Sequence, residues 1–353
     1  MSRPDAPPAR MPGARLLPSQ ALIDEGDPPA DLPVCDHYCG TEPRMRKALA
    51  LQAELGPVFD ITLDCEDGAP IGAEAAHAHL CADLALSADN RFGRVGARVH
   101  PVDHPAFQND VDTLVGRAGD RLAYLMVPKP RHLADLQLAI AHIEHAARVH
   151  GRGAALPVHA LVETHGALRD VHALAALPRV QSLSFGLMDF VSAHRGAIPQ
   201  SAMGVDGQFS HPLVLRAKLE IAAACHGAGK VPSHCVVTEF KDEAAVAAAA
   251  RRAARELGYS RMWSIHPSQI QPIVDAFAPS VAEVDAAIDI LLAAQAADWA
   301  PIRHHDTLHD RASYRYFWQL LERAHRTSMT GGAQLPAEVR QAWFGEPLPA
   351  SNS

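Results

Sequence analysis

The sequence predicts a (β/α)8 barrel followed by a C-terminal helical extension, and three observations predict it. From about residue 57 to residue 277, strand-like apolar runs alternate with helical segments, the pattern of a parallel sheet with crossover helices. Seven or eight such repeats in this length of chain suit a closed barrel. The strand bodies read as apolar and the polar residues fall at their C-terminal ends, where a barrel builds its site. A doubly wound open sheet would instead carry a Gly-rich phosphate loop after its first strand, and none follows here.

Taken in order, residues 1–32 are Pro-rich, lack the apolar centre of a secretory signal, and read as a disordered tail. TEPRMRKALALQAELG reads as a helix opened by Thr41, with Pro43 in its first turn and Gly56 at its end. PVFDITLDCEDG begins as a strand and closes in an acidic cluster, Asp64, Glu66 and Asp67. An Ala-rich helix over 73–86 leads to the strand RVGARVH, which ends in Arg98 and His100. A helix over 107–116 precedes the strand RLAYLMVPKP, closed by Lys129 and Pro130, and residues 132–150 form an amphipathic crossover helix. LPVHALVE and VQSLSFG are short buried strands joined by GALRDVHALAAL, whose Leu168, Val171, Leu174 and Leu177 have helical spacing.

Residues 191–209 form a loop longer than most inside a compact domain, a position that usually carries function. A helix over 211–226, the strand VPSHCVV, a helix over 242–257 ended by Gly258 and the strand SRMWSIHPSQ complete the alternation, with His234, Glu239 and His266 near the strand ends. Residues 33–279 are thus the expected barrel. Residues 280–328 form a helical lid or oligomerisation segment, in which the His-rich joint RHHDTLHD leads to the helix YRYFWQLLERAH. That helix is too apolar to be solvated and is expected beneath the barrel or on a neighbouring subunit. Residues 329–353 read as a flexible tail.

Composition narrows the function. The 353 residues are 48% hydrophobic and 20% charged with a net charge of −8, which argues against a nucleic-acid partner and for small-molecule chemistry. Six cysteines without CxxC spacing fit a reduced, cytoplasmic protein, and Cys35 and Cys39 lack the second pair of a structural metal site. No apolar run approaches the roughly 20 residues that span a bilayer, so no membrane partner is expected.

Parallel strands end on the same face of a sheet, so Glu163 and Asp189 should lie near each other. Two such carboxylates suit a hard divalent ion, most simply Mg²⁺, with Mn²⁺ as the alternative. The competing reading makes each a helix cap or the partner of Arg169 or Arg195. Arg98 suits an enolate or carboxylate oxyanion facing that metal, or an ion pair with the acidic cluster, and the two are compatible. Lys129 reads as a salt-bridged lysine that positions substrate or cofactor, rather than an imine-forming one. Cys65 lies among acids that would raise its thiol pKa, which argues against a nucleophile. Most of the 21 histidines, His77, His79, His142 and His145 among them, fall on helix faces and read as solvated.

The series LDCEDG, ARVH, MVPKP, LVETHGAL, LSFGLMDF and WSIHPSQI, in this order over about residues 41–325, resembles the citrate lyase β-subunit-like branch of the HpcH/HpaI aldolase superfamily. The resemblance implies a (β/α)8 barrel, trimeric or hexameric, with Mg²⁺-dependent cleavage or formation of a C–C bond in thioesters such as malyl-, citramalyl- or citryl-CoA. It implies Glu163 and Asp189 as metal ligands and Arg98 as the group that stabilises the enolate. It makes Glu66 and Asp67 an acidic pair supporting that arginine, and Asp310 in DRASYRYFWQLLERA an acid/base carried on a lid of the same or an adjacent subunit.

Relatives commonly open the barrel with Arg-Ser-X-Leu-Phe-X-Pro-Gly, whereas this chain has VCDHYCGTEPR. Arg44, Arg46 or Lys47 are then the cations available for the nucleotide part of a thioester. LDCEDG stands for the more usual Leu-Glu-Asp-Ala-Val, and Ala312 stands where proline is common. Hydrolysis of the same thioester, an aldolase for free 2-keto-4-hydroxy acids, and a non-catalytic binding subunit are the alternatives to a thioester lyase.

Overall fold

A computed structural model of the chain describes residues 15–22, 32–154, 156–327 and 333–345. It divides into two compact units, residues 29–277 and the chain on either side of them. The remaining parts of the expected tails lie outside the described residues.

Unit 29–277 is a closed barrel of eight parallel strands in sequential order. The strands are β1 (Cys35–Cys39), β2 (Phe59–Asp64), β3 (Val95–Arg98), β4 (Leu125–Val127), β5 (Val158–Val162), β6 (Val180–Phe185), β7 (Val231–His234) and β8 (Arg261–Ser264). β8 closes on β1, pairing Cys35 with Met262 and His37 with Ser264. Helices follow the strands, from Glu42–Leu55 after β1 to Ile270–Phe277 after β8. Alternation puts Phe59, Ile61, Leu63, Val95 and Ala97 on the outer face of the sheet, in one buried core with helix residues such as Met45, Leu49, Leu84 and Leu114. The expected helix over residues 166–177 is two short ones, His165–Arg169 and Val171–Ala175, and the long loop holds two 3-10 turns.

β1 is the strand that periodicity does not reveal, because CDHYC places Asp36 and His37 in a fully buried run. The barrel interior explains them. Asp36 accepts hydrogen bonds from Thr62 at 2.7 Å and Tyr124 at 3.1 Å, and the Arg261 guanidinium lies 3.2 Å from it and 2.6 Å from Asp60. His159 stacks on Tyr124 with ring centroids 3.7 Å apart. Burial first, then the charge of Arg261, pushes His159 well below the ordinary histidine range, so it is neutral. The expectation of apolar strand bodies is therefore wrong for one layer. This floor of the barrel is polar because the Arg261 cation of β8 is shared there by a carboxylate from β1 and one from β2. Above it Tyr38, Met126, Leu161, Val236 and Trp263 form a separate apolar plug, with Tyr38 and Trp263 stacked at 4.3 Å.

The second unit is built on helices Val281–Ala296 and Arg311–Thr327. A capping box of Ser280 and Glu283 starts the first. The aromatic helix buries Tyr314, Trp318, Leu321 and Ala324 in a core with Val284, Leu291 and Trp299 of its own unit, which answers where its apolar face goes. The His-rich joint is a β-hairpin, β9 (Ile302–His304) and β10 (Thr307–His309). Two stretches read as tail are helical, Pro18–Leu22 and Ala337–Phe344, because Leu22 and Trp343 join the same core. Among the described residues no helix is long and apolar enough to cross a membrane.

Candidate active site

Register places the first part of the site. β2 and β3 pair Asp64 with Arg98 at their last positions, so the two side chains are neighbours across the ladder. Arg98 donates from Nε to Asp64 Oδ1 at 2.7 Å and from Nη2 to Oδ2 at 2.5 Å, and its Nη1 lies 3.0 Å from Glu66 Oε2. The two Asp64 oxygens also accept the backbone N–H groups of Glu66 and Gly68, which pins the acidic loop to the strand end. Beneath, the Tyr38 ring centroid is 5.4 Å from the guanidinium carbon. Burial alone would lower the Arg98 pKa, but the Asp64 and Glu66 carboxylates outweigh it and raise it, so Arg98 is a fixed cation.

Lys129 joins that half to the other. Its Nζ donates to Glu66 Oε1 at 2.5 Å and to Asp67 Oδ2 at 2.7 Å, and lies 3.7 Å from Asp189 Oδ1. Its backbone N–H donates to Glu163 Oε1 at 2.7 Å. The residue sits between Pro128 and Pro130 with φ at 50°, a left-handed conformation that a non-glycine residue adopts at a cost of about 1–3 kcal/mol. Burial would lower its pKa, yet the hydrogen bonds to Asp67 and Glu66 and the charge of Asp189 hold it above the usual lysine range. This is a charged, tethered lysine, unsuited to forming an imine. Burial opposes ionisation of Asp67, but the Lys129 ammonium prevails and keeps that carboxyl below its ordinary value.

Glu163 follows β5, and Asp189 stands in the first turn of helix Leu187–Ser192, just past β6. Neither is a helix cap. Thr164 caps the helix after β5 by accepting the Ala167 N–H, and Arg169 pairs with Asp170. Glu163 is 3% exposed, whereas the side chain of Asp189 is 43% exposed. Burial, and then the charge of Asp189, raises Glu163 to a pKa of about 8. A buried carboxyl held up by its own desolvation and by a second carboxylate is what a divalent cation would relieve, and both donors are hard oxygens. The pair therefore fits Mg²⁺.

Glycine at 186 makes room for Glu163. β5 and β6 pair Val162 with Phe185, so the next residue of each chain meets its neighbour. A Cβ on Gly186 would lie 2.1 Å from Glu163 Oε2 and 2.5 Å from its Cβ. Gly186→Ala is accordingly expected to swing the Glu163 carboxylate away, weaken Mg²⁺ binding by roughly tenfold or more, and cost about 1–3 kcal/mol of stability. Calorimetric titration with Mg²⁺ and thermal unfolding measure the two effects.

The other residues singled out in the sequence lie as follows. Arg44 and Lys47 are exposed in the first two turns of helix Glu42–Leu55, outside the ion-pair network around Lys129, and Arg46 pairs with Glu42. His100 is held by Asp110 at 2.6 Å, and His266 caps the 3-10 turn Pro267–Gln269. His234 stacks on Phe209, on the helix side of the sheet. His77, expected to be solvated, is buried with Nε2 2.9 Å from the Asp64 carbonyl. Asp310 belongs to the other unit, where its Oδ1 accepts the backbone N–H groups of Ala312 and Ser313 at a helix start. Asp64, Tyr38 and Gly186 are the site residues that sequence reasoning did not assign a role. Only Asp64 had a signal, as a member of the acidic cluster. A cavity of about 470 Å³ lined by His165, Phe190, His194 and Arg216 is bounded by helices rather than by these carboxylates.

The strand ends of this parallel eight-stranded barrel assemble carboxylates around an arginine and a lysine, and the relatives that follow make the class a carbon–carbon lyase. A family model described as HpcH/HpaI aldolase/citrate lyase matches residues 47–267, and the chain belongs to that family. The chain is 57% identical to a citrate lyase of Burkholderia xenovorans LB400 whose crystal structure is known, with a TM-score of 0.80 over 91% of this chain and 97% of that one. It is 30% identical over 270 residues to the L-malyl-CoA/beta-methylmalyl-CoA lyase of Cereibacter sphaeroides, covering 72% of this chain and 83% of the relative. The Mycobacterium tuberculosis protein CitE, solved in complex with magnesium, acetoacetate and coenzyme A, shares the fold with a TM-score of 0.64 at 21% identity, over 84% of this chain and 99% of that one.

Proposed function

We propose that the protein is a Mg²⁺-dependent lyase that cleaves or forms the C–C bond of a 3-hydroxyacyl-CoA such as malyl-CoA, giving an acyl-CoA and a 2-oxo acid. The observation that carries this reading is the coupling of a fixed Arg98 to the Glu163 and Asp189 pair through Lys129. The Cereibacter relative acts on malyl-CoA thioesters, and the Mycobacterium protein binds magnesium together with coenzyme A. Glu163 and Asp189 would hold the metal, which supplies a chelating Lewis acid for the carboxylate and carbonyl of the 2-oxo acid. Arg98, its guanidinium already oriented by Asp64 and Glu66, stabilises the negative charge of the thioester enolate. Lys129 keeps Glu66 and Asp67 from repelling an anionic substrate. Asp310 is proposed as the proton carrier on the resemblance of its segment alone, and exposed Arg44 and Lys47 as contacts of the nucleotide part of CoA. A homotrimer or homohexamer is the assembly proposed, read by light scattering.

The test is an assay of EDTA-treated protein with and without added Mg²⁺, on L-malyl-, β-methylmalyl- and citramalyl-CoA and on free 2-keto-4-hydroxy acids. Release of glyoxylate or pyruvate with acyl-CoA, only when Mg²⁺ is present, is the result expected. Free CoA without the 2-oxo acid would make the enzyme a thioesterase, and turnover of the free acids alone a CoA-independent aldolase. The β1 sequence, which lacks the relatives' Arg-Ser, favours the aldolase as the second reading. Binding of Mg²⁺ and thioester without any turnover would make the chain a non-catalytic subunit.

A pH dependence follows from Glu163. Its folded pKa of about 8 lies above the ordinary value, so in the metal-free protein it is protonated near neutrality and must ionise to bind a cation. Apparent Mg²⁺ affinity should rise by about tenfold per pH unit as pH approaches 8 and level off above it, with one proton released per ion below that point. The same group adds stability to the metal-free fold that is full below about pH 4 and lost as pH rises through 8. Titration calorimetry in buffers of different ionisation enthalpy counts the protons.

A further inference from the structure

We propose that Asp289, His304 and His305 of the C-terminal unit form a second metal site, one for a borderline transition ion of the Zn²⁺ type rather than for Mg²⁺. Asp289 lies on helix Val281–Ala296, and the two histidines lie at the tip of the β9–β10 hairpin. Their ligand atoms all fall within 4.8 Å of one another. His304 Nε2 and His305 Nε2 approach the same atom, Asp289 Oδ2, at 2.7 and 3.3 Å. In a tetrahedral Zn²⁺ site with ligands at about 2.0–2.1 Å, neighbouring ligand atoms stand about 3.3 Å apart. The His305 edge already has that length, and the His304 edge needs to open by only a few tenths of an ångström. Imidazole nitrogens with one carboxylate suit Zn²⁺, Ni²⁺ or Cu²⁺, and the third protein ligand leaves a position open to water.

The hairpin that brings the rings together is held in an unfavourable conformation. His305 and Asp306 have φ of 44° and 62°, the left-handed pair of a two-residue turn that glycine or asparagine would occupy more readily. Arg303 pairs with Asp306 across the turn at 2.5 Å. Behind it, His309 is buried with its ring 6.5 Å from that of His304 and 5.6 Å from Phe317, so the strand carrying His304 is backed by packed rings. Strain of this kind persists where surrounding structure enforces it, and here it sets adjacent imidazoles on one carboxylate oxygen. The His305 side chain is 83% exposed and that of Asp289 59% exposed, so an ion reaches them without any rearrangement of the core. Binding would tie the hairpin to the helix and stabilise this unit.

The experiment uses untagged full-length protein, stripped with EDTA and titrated with Zn²⁺ by calorimetry in saturating Mg²⁺, beside Asp189→Asn, His305→Ala and Asp289→Asn. The expected result is one equivalent of Zn²⁺ that survives in Asp189→Asn and weakens roughly tenfold or more in each of the other two variants. Co²⁺ in place of Zn²⁺ should give a visible absorption band in the wild type and none in His305→Ala. His305 is solvent-facing, so that variant should match the wild-type metal-free melting temperature while losing the Zn²⁺-induced rise. Zn²⁺ binding that is absent, unchanged in both hairpin-site variants, or lost in Asp189→Asn instead, overturns the proposal. None of these readouts depends on lyase turnover.

Discussion

Asp189→Asn is expected to abolish Mg²⁺-dependent turnover while leaving the fold intact. The change removes one hard anionic ligand and keeps the shape of the side chain. A metal contributes several kcal/mol of charge stabilisation, so the loss should be about 10³-fold or more in kcat/KM. Stability should move the other way or not at all. The Asp189 side chain is 43% exposed, and its charge is the second cause, after burial, of the raised Glu163 pKa. Neutralising it lets Glu163 ionise at lower pH and removes the repulsion that an ionised Glu163 meets, at the cost of a 3.7 Å contact with a Lys129 that keeps its bonds to Glu66 and Asp67. Thermal unfolding of the variant should therefore show an unchanged or higher melting temperature without Mg²⁺ and no rise when Mg²⁺ is added. Retained activity with a large fall in melting temperature would sink the metal assignment and return Asp189 to a scaffold role.

Arg261→Met should produce the largest loss of stability, and it acts at the opposite depth of the barrel. Arg261 is fully buried between Asp36 and Asp60, which are themselves fully buried, and also donates to the Pro33 carbonyl at 2.8 Å. Removing it leaves two buried carboxylates with no cation, a change that costs about 3–5 kcal/mol. Burial already lifts Asp60 to a pKa of about 6 with Arg261 pulling it down, so without the arginine it rises further. A raised carboxyl pKa contributes stability below its unfolded value and loses it as pH climbs through the folded one. The variant should thus lose melting temperature steeply with rising pH from about 4 upward, more steeply than the wild type. Adding Asp36→Asn and Asp60→Asn should return part of the loss. A melting temperature insensitive to Arg261→Met would show that the three charges do not balance one another.

The β-strand and helix order was legible because each element buries one face and its apolar residues repeat with that element's period. The strand-end residues were legible for a related reason: a charge that interrupts an apolar run must leave the core, and in a barrel it leaves at the rim. That is why Arg98, Lys129, Glu163 and Asp189 could be picked out in advance. The same logic fails for β1. Asp36 breaks the pattern, yet its partner Arg261 is 225 residues away along the chain and only the closed barrel brings them together. It fails too for the aromatic helix Arg311–Thr327, whose apolar stripe demanded a partner without naming it, and for the hairpin, whose two tip residues are not those that usually signal a tight turn.

By itself, then, the sequence determined the barrel and which side chains stand at the ends of its strands, because those follow from local periodicity and the direction of parallel strands. Only the tertiary structure decided what these side chains do to one another. It made Asp64 the bidentate partner of Arg98 through β2–β3 register, made Lys129 a tether between two groups of acids, and gave Glu163 a pKa of about 8. Pair distances and burial are properties of space rather than of spacing along the chain, and the electrostatics of the site depends on both.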